Sequence, residues 1–323
     1  MTTFDDYEVI DGHVHLCRDP EQQKLVFPKR GWPDEWYWCN TDRIVPYMDQ
    51  NFISHIIVLN IMVTKRMIET RIARLPKDTS EKEVEATRAA LLTEMQDRVR
   101  AFNDWICDLH KKEPRIIPFV LIDPILFGEK VIDEYHRCMA RGAVGVKLHP
   151  SNCAHMPDHP NMMPVYEACQ KDGTVVLTDT NVRGGPGRED ENGVGFGYPI
   201  NWAPILSTFS KMKLIIAHFC DNMWDDRLDL ARQFKDNLYF DMAGGLTDSH
   251  FHHEPSSHGG MLAEQAARVF RKVGTERMLF GSDAPALPLS PVDAASQIMA
   301  LPLSPEEKRQ ILSENAKRLF GLN

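Results

Sequence analysis

Histidine and aspartate residues stand at the ends of several short apolar runs in this sequence. His13-Val-His15 follows one such run, and its alternation places both imidazoles on the same side of an extended strand, about 6–7 Å apart. Two imidazoles in this arrangement can bind one metal ion, and imidazole suits zinc and its neighbours. The pair therefore predicts a metal site, with a purely structural pair as the alternative.

Two further runs end in a residue that could act on water. Phe280-Gly-Ser-Asp283 offers a carboxylate that could bind a metal and accept a proton from water, and a helix-capping aspartate is its alternative. Ile215-Ile-Ala-His218 offers an imidazole that could activate water or polarise a carbonyl, against simple burial in the core. We therefore treat His218 and Asp283 as candidate catalytic residues.

The segment Lys147-Leu-His149-Pro has the same alternation. An unpaired buried ammonium is costly, so Lys147 should be ion-paired, bind a substrate carboxylate or serve as a carbamylated bridging ligand. We predict that Lys147 and His149 contact the substrate. A separate cluster, His250, His252, His253 and His258, has the composition of a metal tract, but we interpret it as a solvated loop.

Eight short runs rich in β-branched residues are spread along the chain, and segments long enough for a helix separate them. The runs cover residues 7–13, 55–60, 115–122, 143–149, 174–179, 213–218, 237–242 and 277–282. Two of the intervening helices begin with capping boxes, at Ser80–Glu83 and Ser304–Glu307. Apolar strands that alternate with helices indicate a parallel sheet.

Eight such units predict a single (β/α)8 TIM barrel over residues 1–323, with long βα loops covering its C-terminal face. An open doubly wound sheet is the alternative, but it would usually show a glycine-rich turn after the first strand. In a closed barrel the strand ends meet at one face, and the eighth strand lies beside the first. Asp283 should then lie next to His13 and His15.

Two segments are longer than ordinary loops and are candidate lids over the site. Segment 17–40 contains several aromatic residues, and segment 181–200 is rich in glycine. We predict that Trp36 in the first and Arg183 in the second contact the substrate. Packing of the aromatic segment against the barrel mouth is the alternative.

The composition limits the partners. The chain has 323 residues with 37 Lys+Arg against 46 Asp+Glu, a net charge of −9, and no basic run, so we expect a small-molecule substrate and no nucleic acid. It contains no apolar stretch of membrane-spanning length and no basic head followed by an apolar run, so we expect a cytoplasmic protein without membrane contact. Seven scattered cysteines without a CxxC motif are expected to be reduced core residues.

Four segments in order resemble the amidohydrolase-related family of TIM-barrel metalloenzymes. They are Asp11-Gly-His-Val-His15, Gly145-Val-Lys-Leu-His-Pro150, Ala217-His218 and Gly281-Ser-Asp283, and the resemblance extends over nearly the whole chain. It is to the branch that holds aminocarboxymuconate-semialdehyde decarboxylase, resorcylate-type decarboxylases and metal-dependent hydrolases. The resemblance implies His13, His15 and Asp283 as ligands of one divalent ion, zinc or else manganese. It also implies that His218 activates water or protonates the substrate, and that the protein is a dimer or tetramer.

One position departs from the family pattern. The fifth strand normally ends in a metal-binding histidine, and here we align Thr178 with that position. Asp179 could replace the histidine if the strand bends, since neighbouring side chains face opposite ways. Alternatively, His149 or His218 completes the coordination, or the metal is weakly bound or absent, as in the related lactonase branch.

Three functions follow from these residues and the resemblance. The leading hypothesis is a metal-dependent hydrolase of a small carboxylated or cyclic substrate, such as a lactone or amide. The alternative is a non-oxidative decarboxylase, a lyase, of an aromatic or muconate-type acid. The third is a barrel that has lost catalysis and acts as a binding protein.

Overall fold

The computed structural model describes residues 7–28, 37–180, 189–190, 192–219, 224–244, 263–287 and 290–322. Eight strands form one parallel sheet in the order β1 to β8, so each strand pairs with its neighbours in sequence. Their bounds are β1 Val9–Val14, β2 Ile53–Leu59, β3 Ile116–Leu121, β4 Gly145–Leu148, β5 Val175–Thr178, β6 Leu214–Ile216, β7 Leu238–Asp241 and β8 Met278–Leu279.

Helices lie between the strands, as the alternating pattern predicts. They are α1 Pro20–Val26, α2 Ile44–Gln50, α3 Thr64–Ile72, α4 Glu81–Lys112, α5 Pro124–Phe127, α6 Val131–Ala140, α7 Pro150–Cys153, α8 Met163–Asp172, α9 Ala203–Thr208, α10 Trp224–Gln233, α11 Ala263–Val273, α12 Pro291–Ala300, α13 Pro305–Arg309 and α14 Asn315–Phe320. A π-helical turn, Gln310–Glu314, joins α13 to α14. Both predicted capping boxes are present, at Ser80 before α4 and at Ser304 before α13.

The first and last strands are joined by backbone hydrogen bonds, which closes the sheet. The Gly12 amide donates to the Phe280 carbonyl at 2.9 Å, and the Asp283 amide donates to the His13 carbonyl at 2.9 Å. The predicted (β/α)8 barrel is therefore confirmed, and Asp283 is brought beside the first-strand histidines.

Both faces of the barrel sheet are buried, which explains why its strands are apolar throughout. One set of side chains fills the barrel interior: Ile10, Ile57, Leu59, Ile117, Phe119, Val175, Leu177, Ile215, Ala217 and Leu279. The alternate side chains, such as Val176 and Ile216, face the surrounding helices. This alternation determines which strand-end residues reach the mouth of the barrel.

The sequence predicts reduced core cysteines and no membrane-spanning segment. The six cysteines that the structure describes, Cys17, Cys39, Cys107, Cys138, Cys153 and Cys169, are free and buried. Across the described ranges, no helix combines the length and apolar character that a membrane crossing needs.

Gly12 lies where β1 meets β8, and the backbones are too close there for a side chain. A Cβ atom at Gly12 would lie 2.7 Å from the Phe280 carbonyl oxygen, which is backbone and cannot rotate away. We expect Gly12→Ala to lower the free energy of unfolding by about 1–3 kcal/mol, the usual cost of overpacking. Urea unfolding of the wild type and the variant measures this difference. Equal midpoints would contradict the close approach of the two backbones at Gly12.

Candidate active site

His13, His15 and Asp283 form a compact group at the C-terminal mouth of the barrel. One ligand atom from each lies within 4.8 Å of the other two, and all three residues are buried. The Asp283 Oδ1 atom is 3.0 Å from His15 Nε2 and 3.6 Å from His13 Nε2. The three side chains therefore offer two nitrogens and one oxygen to a common point.

The outer nitrogens of the two imidazoles are engaged by acceptors. His13 Nδ1 donates to Asp241 Oδ2 at 2.8 Å, and His15 Nδ1 donates to the Leu59 carbonyl at 3.1 Å. Because a carboxylate and a carbonyl only accept hydrogen bonds, each Nδ1 carries a proton, and both Nε2 atoms face Asp283. Metal-binding histidines are held in this way, so these residues fit a divalent ion.

The electrostatics favour the metal-binding protonation states of His13 and Asp283. Burial lowers the pKa of His13 to about 4, although Asp241 opposes this shift, so the imidazole is neutral near pH 7. Burial alone would raise the pKa of Asp283, but its hydrogen bond with His15 and the neighbouring histidines outweigh burial and hold that pKa well below the usual value. Asp283 is therefore an ionised acceptor.

Asp283 and His218 both have a left-handed backbone, each with φ of +60°. Residues with a side chain rarely adopt this conformation, and it is typical of functional sites. At each position a hydrogen bond supports the turn: the Asp283 amide donates to the His13 carbonyl, and the His218 amide donates to Asp241 Oδ1 at 3.0 Å. The unusual backbone directs both side chains into the mouth.

A second cluster consists of His149, Asp179 and His218. Asp179 Oδ2 lies 3.0 Å from His218 Nε2 and 3.4 Å from His149 Nε2. The other nitrogen of His218, Nδ1, lies 3.0 Å from the Ala243 carbonyl, so both partners of this ring are acceptors. Burial lowers the pKa of His218, but Asp179 and the other carboxylates outweigh it and raise the pKa to about 9. His218 is therefore a cation near pH 7, with both N–H groups engaged.

The position of Asp179 corrects the expectation that this residue needs a bent strand to reach the mouth. Val175 and Leu177 face the barrel interior, and Asp179 follows them with the same alternation. Its side chain accordingly contacts His218, without any bend. It is not part of the three-residue ligand group found among the described residues, so its role as a ligand stays a prediction.

Lys147 is completely buried in the barrel, on the strand that leads to His149. Its ammonium has no hydrogen-bond partner among the described residues, and the charges that act on it are those of Asp179, Asp241 and Asp283. Burial lowers its pKa, which the three carboxylates oppose. Because His149 is two residues further along, Lys147 lies about 6–7 Å deeper than the cluster. Its predicted contact with substrate remains untested.

Asp241, at the end of β7, organises the site although the sequence analysis gave it no role. Its Oδ2 accepts from His13, and its Oδ1 accepts from the backbone amides of His218 and Ala243 at 3.0 Å each. The signal that could have revealed it is alternation, since Asp241 follows Tyr239, which packs against the interior cluster. One carboxylate thus connects the metal-ligand group to the His218 turn.

The contacts of Asp241 give a testable prediction. Asp241→Asn should weaken divalent-metal binding by about 10–100-fold, because the hydrogen bond that orients His13 loses its charged acceptor. Competition with a coloured chelator measures the affinity. The exposed Asp236→Asn variant is the matched control and should bind metal like the wild type.

The first lid candidate is partly described. Its two ends are joined by the Cys17 amide, which donates to the Cys39 carbonyl at 3.1 Å. Phe27 stacks near the His15 ring, with centroids 6.2 Å apart and an interplanar angle of 19°. Three predicted features lie outside the described residues: Trp36, Arg183 and the cluster His250, His252, His253 and His258.

A family model for amidohydrolases, Amidohydro_2, matches residues 10–322. The chain belongs to this amidohydrolase family. The match begins at the second residue of β1, covers the other seven strands in full and includes His13, His15 and Asp283. No curated protein matches the sequence at the threshold applied.

Solved structures with the same fold include several decarboxylases. The 2,6-dihydroxybenzoate decarboxylase from Rhizobium is 16% identical, with a TM-score of 0.66 and coverage of 98% of this chain and 99% of that chain. The 5-carboxyvanillate decarboxylase from Sphingomonas paucimobilis is 13% identical, with a TM-score of 0.63 and coverage of 98% and 99%. A dihydroxybenzoic acid decarboxylase from Polaromonas, solved with manganese and 2-nitroresorcinol, is 17% identical, with a TM-score of 0.62 and coverage of 98% of both chains. At these identities the likeness shows the fold of this amidohydrolase-family member.

Proposed function

We propose that this amidohydrolase-family member is a metal-dependent hydrolase of a small carboxylated or cyclic substrate, such as a lactone or amide. The observation that carries the proposal is the ionised Asp283 carboxylate, whose Oδ1 atom is 3.0 Å from His15 and 3.6 Å from His13. Hydrolysis needs a proton acceptor for water beside an electrophilic centre. Asp283 provides that acceptor at the point where the metal ligands converge.

The proposed reaction divides the tasks among residues with opposite charge. A divalent ion bound by His13, His15 and Asp283 would supply Lewis acidity that polarises a carbonyl and makes water more acidic. Asp283 accepts the proton of the attacking water through its carboxylate. His218, a cation held at both nitrogens, stabilises the negative charge that develops on the carbonyl oxygen.

The same arrangement supports an anionic substrate. The His218 imidazolium lies beside the ligand group, with its ring 5.2 Å from that of His13, and a divalent ion would add two positive charges there. Lys147 is buried deeper in the barrel, where the charges of Asp179, Asp241 and Asp283 act on it. A substrate carboxylate would be attracted by the His218 cation and the ion, which is why we include carboxylated substrates.

A decarboxylase of an aromatic or muconate-type acid is the second candidate. The solved decarboxylases of the same fold and the buried ammonium of Lys147 favour it. Decarboxylation, however, needs a group that donates a proton to the carbon atom that loses carbon dioxide. Asp283 is held ionised and so can accept a proton at once, whereas the His218 imidazolium would have to leave one of its two hydrogen-bond acceptors before it could protonate carbon.

One assay separates the two candidates. The metal-loaded protein is offered lactones and cyclic amides that carry a carboxylate, and in parallel hydroxybenzoates and muconate-type acids. Ring opening with uptake of ¹⁸O from labelled water supports the hydrolase. Release of carbon dioxide without ¹⁸O uptake in the organic product rejects it in favour of the lyase.

A further inference from the structure

Asp179 is a buried carboxylate at the barrel mouth that lies between imidazoles from the two flanking strands, His149 after β4 and His218 after β6. We propose that Asp179 is a positioning residue that ties His149 to His218, and that the metal centre takes its protein ligands from His13, His15 and Asp283 without it. The inference rests on the proposed metal-dependent hydrolase, in which the His218 ring is held beside the ligand group. It differs from the expectation that Asp179 binds the ion.

The hydrogen-bonding capacity of Asp179 supports the bridge. The Nε2 atoms of both imidazoles lie near the same oxygen, Oδ2, at 3.0 and 3.4 Å. A carboxylate oxygen has about two lone-pair directions; the hydrogen bond with His218 takes one of them, and His149 lies within ion-pair distance of the same atom. The backbone fixes the residue as well, because the Asp179 amide donates to the Leu148 carbonyl at 3.0 Å. To bind a metal through this atom, Asp179 would have to give up its hydrogen bond with His218 and its contact with His149.

The arrangement of ligand atoms points the same way. His13, His15 and Asp283 are the one set of three ligating residues, within the described ranges, whose atoms lie within 4.8 Å of one another. Neither Asp179 with two of these residues nor the trio of Asp179, His149 and His218 meets that distance. The mouth therefore contains a compact ligand group and, beside it, a wider bridge of two imidazoles around a carboxylate.

The bridge controls where His218 points. Asp179 holds Nε2 and the Ala243 carbonyl holds Nδ1, so the ring cannot rotate about its side chain. The His218 ring is 5.2 Å from the His13 ring, which places the fixed charge next to the ligand group. Loss of Asp179 should release the imidazole without removing a metal ligand.

The test compares Asp179→Asn with the wild type, first without substrate. Cobalt(II) is titrated into each protein, and the stoichiometry, the affinity and the visible absorption spectrum of the bound ion are recorded. We expect one ion per chain, affinities within about threefold and the same spectrum. A loss of affinity of tenfold or more, together with a changed spectrum, would make Asp179 a ligand and overturn the proposal.

A second measurement reports on the bridge itself. Side-chain ¹H–¹⁵N correlation spectra should show shifted His218 ring-nitrogen signals in Asp179→Asn, because the contact between the Asp179 carboxylate and His218 Nε2 is lost. If an active substrate is known, kcat should fall by about 10–100-fold with little change in KM. Unchanged His218 signals would refute the positioning role. Because neither the cobalt nor the NMR measurement needs turnover, failure to find a hydrolysed substrate leaves their outcome intact.

Thr178→Val is the matched control. Thr178 is adjacent to Asp179 and buried, but it lies on the opposite side of the strand, so its loss perturbs the same segment without touching the bridge. We expect normal cobalt binding and normal His218 signals. If Asp179→Asn does not fold, Asp179→Ser replaces it, since a smaller polar side chain also breaks the bridge.

Discussion

Asp283→Asn should lower kcat/KM by about 10³-fold, the central value for loss of a positioned acid–base group. The amide cannot accept a proton from water, and it replaces a charged ligand with a neutral one at the point where His13 and His15 converge. Initial rates on the substrate identified by the ¹⁸O assay give the ratio. Metal content measured on the same sample separates lost chemistry from lost metal.

Two comparisons make this result interpretable. Asp236→Asn makes the same carboxylate-to-amide change at an exposed position and should keep wild-type kinetics. Supplying Asp283→Asn with saturating metal should restore occupancy but not turnover, because the proton acceptor is still missing. Near-normal activity at full occupancy would contradict the assignment of Asp283 as the base.

Removal of the metal should abolish activity and lower stability together. An ion that binds the folded state alone stabilises it by about 2.7 kcal/mol when its free concentration is 100 times its Kd. We therefore expect a chelator to abolish turnover and to lower the free energy of unfolding by about this amount. Stepwise return of zinc or manganese, followed by activity and urea unfolding, shows which ion restores both.

The His15→Asn variant tests whether this stabilisation comes from the proposed site. His15 supplies one of the two nitrogens, so the variant should show the same unfolding midpoint with and without added metal. A metal-dependent midpoint in His15→Asn would place the ion elsewhere in the chain. Turnover that survives complete chelation would favour the metal-free alternative suggested by the lactonase branch.

The barrel could be predicted from the sequence because its strands are short, apolar and separated by helix signals. All eight strands lie at the predicted places, with ends that differ by up to three residues. The joining of β1 to β8 then follows from closure, which is why Asp283 could be placed beside His13 and His15 without coordinates. This part of the site depends on topology alone.

The remaining features depend on which way individual side chains face. In β1, Ile10 packs in the barrel interior, and strict alternation from Ile10 would turn the His13 side chain outward. The pairing of β1 with β2 is irregular between Asp11 and Val14, and this irregularity lets His13 face inward. At β5, Asp179 continues the inward alternation of Val175 and Leu177, so it reaches the mouth without the bend that the sequence suggested. Sequence patterns do not encode such single-residue shifts, whereas hydrogen bonding in the folded barrel determines them.

The left-handed backbone at His218 and Asp283 has a consequence for engineering. Each such residue costs of order 1–3 kcal/mol, which glycine at the same position would not incur. Selection for heat resistance alone would therefore favour glycine at positions 218 and 283, the two positions where replacement removes the proposed base and the fixed charge. Mutant libraries built to stabilise this enzyme should therefore leave residues 218 and 283 unchanged. Otherwise selection will enrich stable variants that no longer turn over substrate.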